Sequence, residues 1–191
     1  MTARLPAHGL CAQSNSQLLI VDIQNKLAAA MPEKVVNRVL RNATVLLKAA
    51  GLLQIPTLVT EQYPRGLGST HPGVMAAVAR DFKRFEKTCF SCLGAEGIDT
   101  ALADPKRRQI IVAGMEAHVC VLQTAFDLRA EGCEVLVVDD AICSRRLENY
   151  QNAIDRLRQT GITVTNTESV VFEWLRDARH EHFKTISAWV R

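Results

Sequence analysis

The chain has 191 residues, the size of one ordinary domain, and it is long enough to bury a full core without disulfide staples. Its 23 Lys and Arg against 20 Asp and Glu give a formal charge of +3, without the basic blocks and interleaved aromatics of nucleic-acid-binding proteins. No apolar stretch approaches the roughly 18 residues of a transmembrane helix, and residues 1–16 lack the apolar core of a signal peptide. We therefore expect one cytoplasmic domain that binds neither nucleic acid nor a membrane.

Apolar runs alternate with helical patterns along the whole chain. The sequence predicts strands at 18–23, 56–60, 108–113, 134–139 and 162–166, and helices at 32–50, 73–80, 98–103, 119–130 and 147–160. Strands of near-continuous Val, Ile and Leu, each followed by a helix, are typical of a parallel sheet covered on both faces. The predicted fold class is α/β, with a single domain over 1–191, a core of about 16–172 and a helical tail over 173–191.

Ligands in such folds bind beyond the carboxyl ends of the strands, so the residues that end the strands are the candidates. Asp22 follows four apolar residues in LLIVDIQN, where a carboxylate is poorly solvated, although a helix cap or a structural acceptor would also fit. Lys87 lies in RFEKTCFSC, in the third strand or the loop beside it, with an ordinary surface lysine as the alternative.

Cys120 lies in VAGMEAHVCVLQTA, residues 112–125, where a buried strand is predicted to become a helix. Free N–H groups and the helix dipole at a helix N-terminus favour a thiolate, so the pattern predicts a primed nucleophile. A buried structural cysteine on the first helical turn is the alternative. His118 is a weaker candidate for a base, because the sequence supplies no third group to orient it.

The other metal-like and redox-like patterns are weak. The six cysteines are expected to be reduced thiols in a chain without a secretory signal. CFSC at 89–92 has the spacing of a redox dithiol or of half a zinc site, but no second pair completes it. HEH at 180–182 is predicted to be a solvated helix face. We expect no metal and no cofactor.

Three segments together resemble the isochorismatase-like cysteine hydrolases in order, spacing and local context: LIVDIQN (19–25), FEKTCFS (85–91) and VAGMEAHVCV (112–121). The resemblance runs over about 18–171, and TEQYPRGLG (60–68) and HEHFKTI (180–186) look most like the isochorismatase domain-containing branch. It implies a three-layer α/β/α sandwich with a six-stranded parallel sheet, a catalytic triad of Asp22, Lys87 and Cys120, and usually a homo-oligomer.

The resemblance also implies an oxyanion site made by the backbone N–H groups of Glu116 and Cys120, with a cis peptide bond just before Glu116. Asp22 would take the thiol proton, Lys87 would hold the charges in place, and the Cys120 thiolate would attack an amide carbonyl. Relatives that hydrolyse nicotinamide carry a D-x-H...H metal cluster after strand two. TEQYPRGLGSTH offers only His71 at that place, which does not support zinc or iron.

Gln24, Tyr63 and Phe90 are predicted walls of the pocket, and Arg65 is a candidate anchor for an anionic substrate, with a solvated loop arginine as the alternative. The predicted function is hydrolysis of a small-molecule amide or related C–N bond through an acyl thioester. Two alternatives stay open: isochorismatase-type cleavage of a vinyl ether without covalent catalysis, and a redox or binding protein without catalysis.

Overall fold

The computed structural model describes residues 9–190, in which six strands form one fully parallel sheet of order β3-β2-β1-β4-β5-β6. The strands are β1 Ser16–Val21, β2 Thr57–Gln62, β3 Lys83–Lys87, β4 Gln109–Met115, β5 Glu134–Cys143 and β6 Thr163–Thr165. The α/β class and the six-stranded parallel sheet are thereby confirmed.

The helices cover both faces of this sheet. They are α1 Asn25–Ala29, α2 Glu33–Leu52, α3 Pro64–Leu67, α4 Pro72–Met75, α5 Ile98–Leu102, α6 Leu122–Ala130, α7 Leu147–Gln159, α8 Thr167–Leu175 and α9 Phe183–Ser187. A 3₁₀ turn covers Cys92–Gly94, and a π-helical turn, Ala117–Val121, precedes α6. Within residues 9–190, none of these helices is both long enough and apolar enough to cross a membrane.

Side chains alternate between two apolar layers on the two faces of the central strands. Leu18 and Ile20 of β1 pack in the layer that contains α2 and α8. Leu19 and Val21 pack in the opposite layer with α6 and α7. Every residue of β1 and of β4 is buried, as expected of central strands covered on both faces. The sequence pattern of unbroken apolar runs therefore reflects a three-layer structure.

The strand order reverses between β1 and β4, which creates a crevice at their carboxyl ends. Gly114 allows the two strands to approach closely there. Its φ is +136°, and a Cβ at this position would collide with the Val21 carbonyl group. On the other side of β4, the register of its pairing with β5 shifts between Val112 and Gly114. Asp22 leaves β1 with a φ of 51°, and the peptide bond between Met115 and Glu116 is cis, as the family resemblance implied.

Three predicted elements differ from the structure. The helix predicted at 73–80 is reduced to α4, after which Ala77 N donates to Val74 O and Val78 N to Met75 O in tight turns. Short isolated helices are marginal without a packed face, which an Ala-rich stretch does not define. The strand predicted to end at 139 continues to 143, and the HEH segment lies in a turn before α9 rather than on a helix.

Candidate functional site

Asp22 and Lys87 meet as a buried ion pair at the carboxyl edge of the sheet. The Lys87 Nζ lies 2.6 Å from Asp22 Oδ2, and both side chains are 0% exposed. Strand register brings them together: Val21 pairs with Thr60 of β2, and Gln62 of β2 pairs with Lys87 at the end of β3. Residues 65 positions apart in sequence are thus joined across three adjacent strands.

Lys87 is surrounded by acceptors. Its ammonium group also donates to Gln62 Oε1 at 2.7 Å and to the carbonyl oxygens of Phe90 at 3.0 Å and Cys89 at 3.3 Å. Burial lowers the pKa of Lys87, but the Asp22 carboxylate raises it, and the net pKa lies above the ordinary value of 10.5. Lys87 is therefore a cation at neutral pH, held in one place by its partners.

Cys120 is the third member of the group. It lies in the π-helical turn between β4 and α6 and is 5% exposed. The pKa of Cys120 is raised from 9.0 to about 12, mainly by burial; the charge of Asp22 and a hydrogen bond to it contribute to the rise, and the charge of Lys87 opposes it. The thiol is therefore protonated at neutral pH and close enough to the Asp22 carboxylate to be affected by its charge. The prediction of a primed thiolate at a helix N-terminus is wrong, because desolvation outweighs the dipole.

Two residues at the site were not predicted as functional. Thr60, the residue of β2 beside Val21, donates its hydroxyl proton to Asp22 Oδ1 at 2.7 Å. Its Oγ1 also lies 3.5 Å from the sulfur of Cys92, which is completely buried. A polar residue at the end of an apolar strand was the available signal for Thr60. Cys92 was noted in the sequence only as part of CFSC, whose spacing is that of a redox dithiol or of half a zinc site.

Gln24 is held by backbone partners. It is completely buried, its Oε1 accepts a hydrogen bond from Gln62 N at 2.7 Å, and its Nε2 donates to the carbonyl oxygens of Gln62 and Gly68. Both ends of this amide are engaged by the backbone. The side chain therefore joins the segment after β1 to the end of β2, and a contact between Gln24 and substrate stays a prediction.

Glu116 follows the cis peptide bond, and its side chain is anchored by the segment that follows β5. Its Oε2 accepts hydrogen bonds from Arg145 N at 3.0 Å and from Arg145 Nε at 3.1 Å. His118 is directed elsewhere: Nδ1 lies 2.9 Å from Ser144 Oγ, and Nε2 lies 3.2 Å from Asn149 Nδ2. Because an amide nitrogen donates, Nε2 is the acceptor and the neutral imidazole carries its proton on Nδ1. Both ring nitrogens are thus engaged away from Cys120.

A cavity of about 380 Å³ lies at the end of β3. Tyr63, Arg65 and Lys87 are among its lining residues, and because the Lys87 side chain is 0% exposed, Lys87 lines it through its backbone. Phe90 is 53% exposed, while its carbonyl oxygen faces Lys87. Tyr63 is 54% exposed and adopts a left-handed backbone conformation, with φ of 38°. Two exposed aromatic residues therefore follow the carboxyl ends of β2 and β3.

Potential metal ligands are scattered over the part of the chain that the structure describes. Over residues 9–190 the fold gathers no group of three or more His, Cys, Asp or Glu side chains that could hold a metal ion. His71 accepts a hydrogen bond from Gly73 N through Nδ1, at the start of α4. His180 accepts one from His182 N in the same way. The polar residues predicted as weak metal candidates therefore serve local backbone geometry.

An acid, a lysine and a thiol near the switch point of a parallel α/β sheet make this edge the candidate active site. Comparison with known proteins agrees: the family model described as "Isochorismatase domain" matches residues 16–169. The chain belongs to the isochorismatase family of hydrolases.

Individual relatives cover almost the whole chain. "Isochorismatase domain-containing protein 2" of Bos taurus is 37% identical over 193 residues, which cover 100% of this chain and 90% of that protein. The structure of MAR1 ribonuclease from Caenorhabditis elegans is 35% identical, with a TM-score of 0.88 over 95% of this chain and 92% of that one. The structure of the YcaC gene product of Escherichia coli, described as an octameric hydrolase of unknown specificity, has a TM-score of 0.85 over 94% of this chain and 90% of that one. At 24% identity, this likeness supports the fold alone.

Proposed function

We propose that the chain is a cysteine-dependent hydrolase of a small amide or related C–N bond, with an acyl thioester on Cys120 as the intermediate. The observation that carries the proposal is the buried Asp22–Lys87 ion pair, beside which the Cys120 thiol lies close enough for both charges to act on its pKa. A thiol with a pKa of about 12 is not nucleophilic by itself at neutral pH, so it needs a base within reach. Asp22 is that base.

Acylation begins when Asp22 accepts the thiol proton as the Cys120 sulfur attacks the carbonyl carbon of the substrate. The carbonyl oxygen becomes an oxyanion, and the protonated Asp22 then donates its proton to the leaving nitrogen. The C–N bond breaks, an amine or ammonia departs, and the acyl group remains on sulfur. Lys87 stays positively charged next to Asp22 throughout and keeps the carboxylate in position.

Deacylation uses the same groups in the reverse order. Asp22 removes a proton from a water molecule, the resulting hydroxide attacks the thioester carbonyl, and the C–S bond breaks to release a carboxylic acid. Asp22 then returns its proton to the Cys120 sulfur, which restores the resting thiol. One carboxylate thereby acts as base, acid, base and acid in turn, and the burial of the ion pair keeps its partners unchanged between steps.

The oxyanion would be stabilised by the backbone N–H groups of Glu116 and Cys120. Such donors are typically worth about 3 kcal/mol each in acyl transfer. The anchoring of the Glu116 side chain by Arg145 supports this role, because it fixes the orientation of a residue whose N–H must be aimed. We assign Tyr63, Arg65 and the ring of Phe90 to the rim through which substrate enters.

The experiment is a screen of small amides, ureas and carbamates with wild type, Cys120→Ala and Cys133→Ala side by side, measuring the release of amine or ammonia. Cys133 is half-buried and lines a different cavity, beside Arg108, so its variant controls for the loss of a thiol. We expect Cys120→Ala to lose at least about 1,000-fold in turnover and Cys133→Ala to retain it. Retained turnover in Cys120→Ala would exclude the nucleophile.

Intact-mass analysis of quenched reactions separates this mechanism from its alternatives. An acyl adduct on wild type that is missing from Cys120→Ala supports the thioester. Turnover of isochorismate without any adduct, and unaffected by Cys120→Ala, would instead indicate vinyl ether hydrolysis with Asp22 as the acid. An RNA oligonucleotide belongs in the same panel, since the relative from Caenorhabditis elegans is named a ribonuclease.

We also propose that the chain forms a homo-oligomer through the rim of the site. Three large apolar side chains follow the carboxyl ends of different strands and are exposed: Tyr63 by 54%, Phe90 by 53% and Leu147 by 65%. Apolar groups exposed at one edge of a domain are typical of a surface that another protein covers. Light scattering coupled to size exclusion would test this, and a monomer at micromolar concentration would contradict it.

A further inference from the structure

We infer that Cys92 is a positioning residue for the proposed reaction: through the Thr60 hydroxyl it holds the Asp22 carboxylate in the orientation that receives the Cys120 proton. The inference rests on the proposed function and adds to it a residue beyond the Asp22, Lys87 and Cys120 group. It concerns a second buried thiol that the mechanism above does not use.

The direction of the hydrogen bonds follows from what each group can donate. Thr60 Oγ1 lies 2.7 Å from Asp22 Oδ1 and 3.5 Å from Cys92 Sγ, and both contacts are buried. An ionised carboxylate only accepts, so the single hydroxyl proton of Thr60 points to Asp22. The oxygen of Thr60 is then the acceptor for Cys92, whose S–H is the donor. The chain therefore runs from Cys92 through Thr60 to Asp22.

Cys92 keeps its proton at neutral pH, as this direction requires. The pKa of Cys92 is raised from 9.0 to about 11, mainly by burial and then by the charge of Asp22, while the charge of Lys87 opposes the rise. The backbone also holds the thiol in place: Cys92 N donates to Thr124 Oγ1 at 2.9 Å. Thr124 lies one helical turn after Cys120, so Cys92 is connected both to the base and to the helix that follows the nucleophile.

The consequence for Asp22 is a hydrogen bond that favours its charged form. A hydroxyl rotor free to turn would spend part of its time away from Asp22, whereas one that accepts from Cys92 is held toward it. Hydrogen bonds to a carboxylate favour the ionised state, and only the ionised state can accept the thiol proton. The titratable and charged groups facing Asp22 are Lys87 from β3, Cys92 from the 3₁₀ turn and Cys120 from the π-helical turn.

The test compares Thr60→Val, Cys92→Ala, Cys92→Ser and the double variant Thr60→Val/Cys92→Ala. The readout is the pH dependence of Cys120 alkylation by iodoacetamide, resolved by peptide mass spectrometry, with the pH–rate profile beside it. Thr60→Val should move the acid limb of both profiles to higher pH by about one pH unit. Cys92→Ala should move it in the same direction by less, and Cys92→Ser, which retains a donor, should restore it.

Coupling decides whether Cys92 acts through Thr60. We expect Cys92→Ala to have no further effect in the Thr60→Val background. An equal effect in both backgrounds, or no effect of Cys92→Ala in wild type, would overturn the inference, because the thiol would then act by packing or not at all. If Thr60→Val does not fold in a urea titration, Thr60→Ala replaces it in the same cycle.

Asp22→Asn separates failure of this inference from failure of the proposed function. An unchanged alkylation profile of Cys120 in Asp22→Asn would show that Asp22 is not coupled to the nucleophile, which would reject the proposed function itself. A changed profile in Asp22→Asn together with unchanged profiles in the Cys92 variants would reject only the role of Cys92.

Discussion

Replacing Lys87 with methionine tests the contribution of the buried ion pair to folding, without any need for a substrate. Both side chains of the pair are 0% exposed, so the variant leaves the Asp22 carboxylate in the core without its counter-charge. Gln62 Oε1 and the Phe90 carbonyl oxygen lose a donor at the same time. Removing one partner of a buried pair costs about 3–5 kcal/mol, a large fraction of the roughly 5–15 kcal/mol that stabilises a typical domain.

The assay is equilibrium urea unfolding at pH 7.5 of wild type, Lys87→Met, Asp22→Asn, Asp22→Asn/Lys87→Met and Lys83→Met. Lys83 begins the same strand and is exposed, so its variant should change the free energy of unfolding by less than about 0.5 kcal/mol. Removing both charges should recover at least about 2 kcal/mol of what Lys87→Met loses. A loss below about 1 kcal/mol in Lys87→Met, or a double variant as unstable as the sum of the two singles, would refute the reasoning.

The pH dependence of this contribution follows from the raised pKa of Lys87. A base whose pKa is higher in the folded state stabilises the protein fully below its unfolded value and ceases to do so as pH rises through the folded value. The ordinary value here is 10.5, and the Asp22 carboxylate holds the folded pKa above it. The difference in stability between wild type and Lys87→Met should therefore be constant from pH 7 to about 10 and shrink at higher pH.

Three further predictions concern other parts of the molecule. Burial raises the pKa of Cys143 from 9.0 to about 12, so as pH rises the thiol ionises in the unfolded chain before it ionises in the folded protein. The free energy of unfolding should therefore decrease above pH 9, and in Cys143→Ala this decrease, measured in urea titrations, should be smaller by about 1.4 kcal/mol per pH unit. Arg145→Ala should lower turnover about tenfold, because Glu116 keeps the hydrogen bond from the backbone N–H but loses the one from Arg145 Nε. It should change stability by less than about 1 kcal/mol because the Arg145 side chain is 60% exposed. Gly114→Ala should destabilise by at least about 3 kcal/mol, since its Cβ collides with the Val21 backbone.

Each of these has a control or an opposite outcome. An unchanged pH slope in Cys143→Ala would mean that its thiol titrates normally in the folded protein. Full activity in Arg145→Ala would show that the hydrogen bond from the Arg145 side chain to Glu116 is not needed for the reaction. Gly51→Ala is the matched glycine, because its Cβ would lie 3.5 Å from Ala79 in ordinary contact within α2, and it should stabilise by about 0.5–1 kcal/mol. A tolerated Gly114→Ala would contradict the close approach of β1 and β4.

The positions of Asp22, Lys87 and Cys120 could be predicted from sequence because the rule involved is topological. Carboxyl ends of parallel strands lie on one edge of a sheet, so chemical groups that follow different strands converge there whatever their separation in sequence. Long apolar runs marked the ends of β1 and β4, whereas β3 has the sequence KRFEK, without an apolar run, and the family resemblance was needed to include Lys87. The end of β5 was harder to predict, because two successive aspartates, Asp139 and Asp140, are typical of a loop. In the structure, Asp140 accepts hydrogen bonds from Thr167 at the start of α8, and the strand continues to Cys143.

The roles of Thr60 and Cys92 could not be predicted, because they depend on the pairing register of the strands and on the direction of the side chains, and not only on how close a residue is to a strand end. Their contact joins residues 32 positions apart, and a hydroxyl near a strand end has the same sequence signature whether it faces a carboxylate or a helix. The state of Cys120 was missed for a quantitative reason. Proximity to a helix N-terminus is worth about 0.3–1 kcal/mol, whereas full burial can shift a pKa by up to about 3–5 units, and the sequence does not report how deeply the turn is buried.

Complete burial of the Asp22–Lys87 pair places both charges of the proposed catalytic group in the protein interior. A mutation that removes one charge therefore leaves the other buried without a partner. Natural proteins are only marginally stable, so few could tolerate the resulting loss of folding free energy. A descendant of this chain that no longer needs the reaction would be expected to keep both charges or to lose both together. An intact pair in a relative is therefore weak evidence that the relative is still an enzyme, and the thiol at the position of Cys120, whose replacement strands no charge, is the more informative residue to inspect.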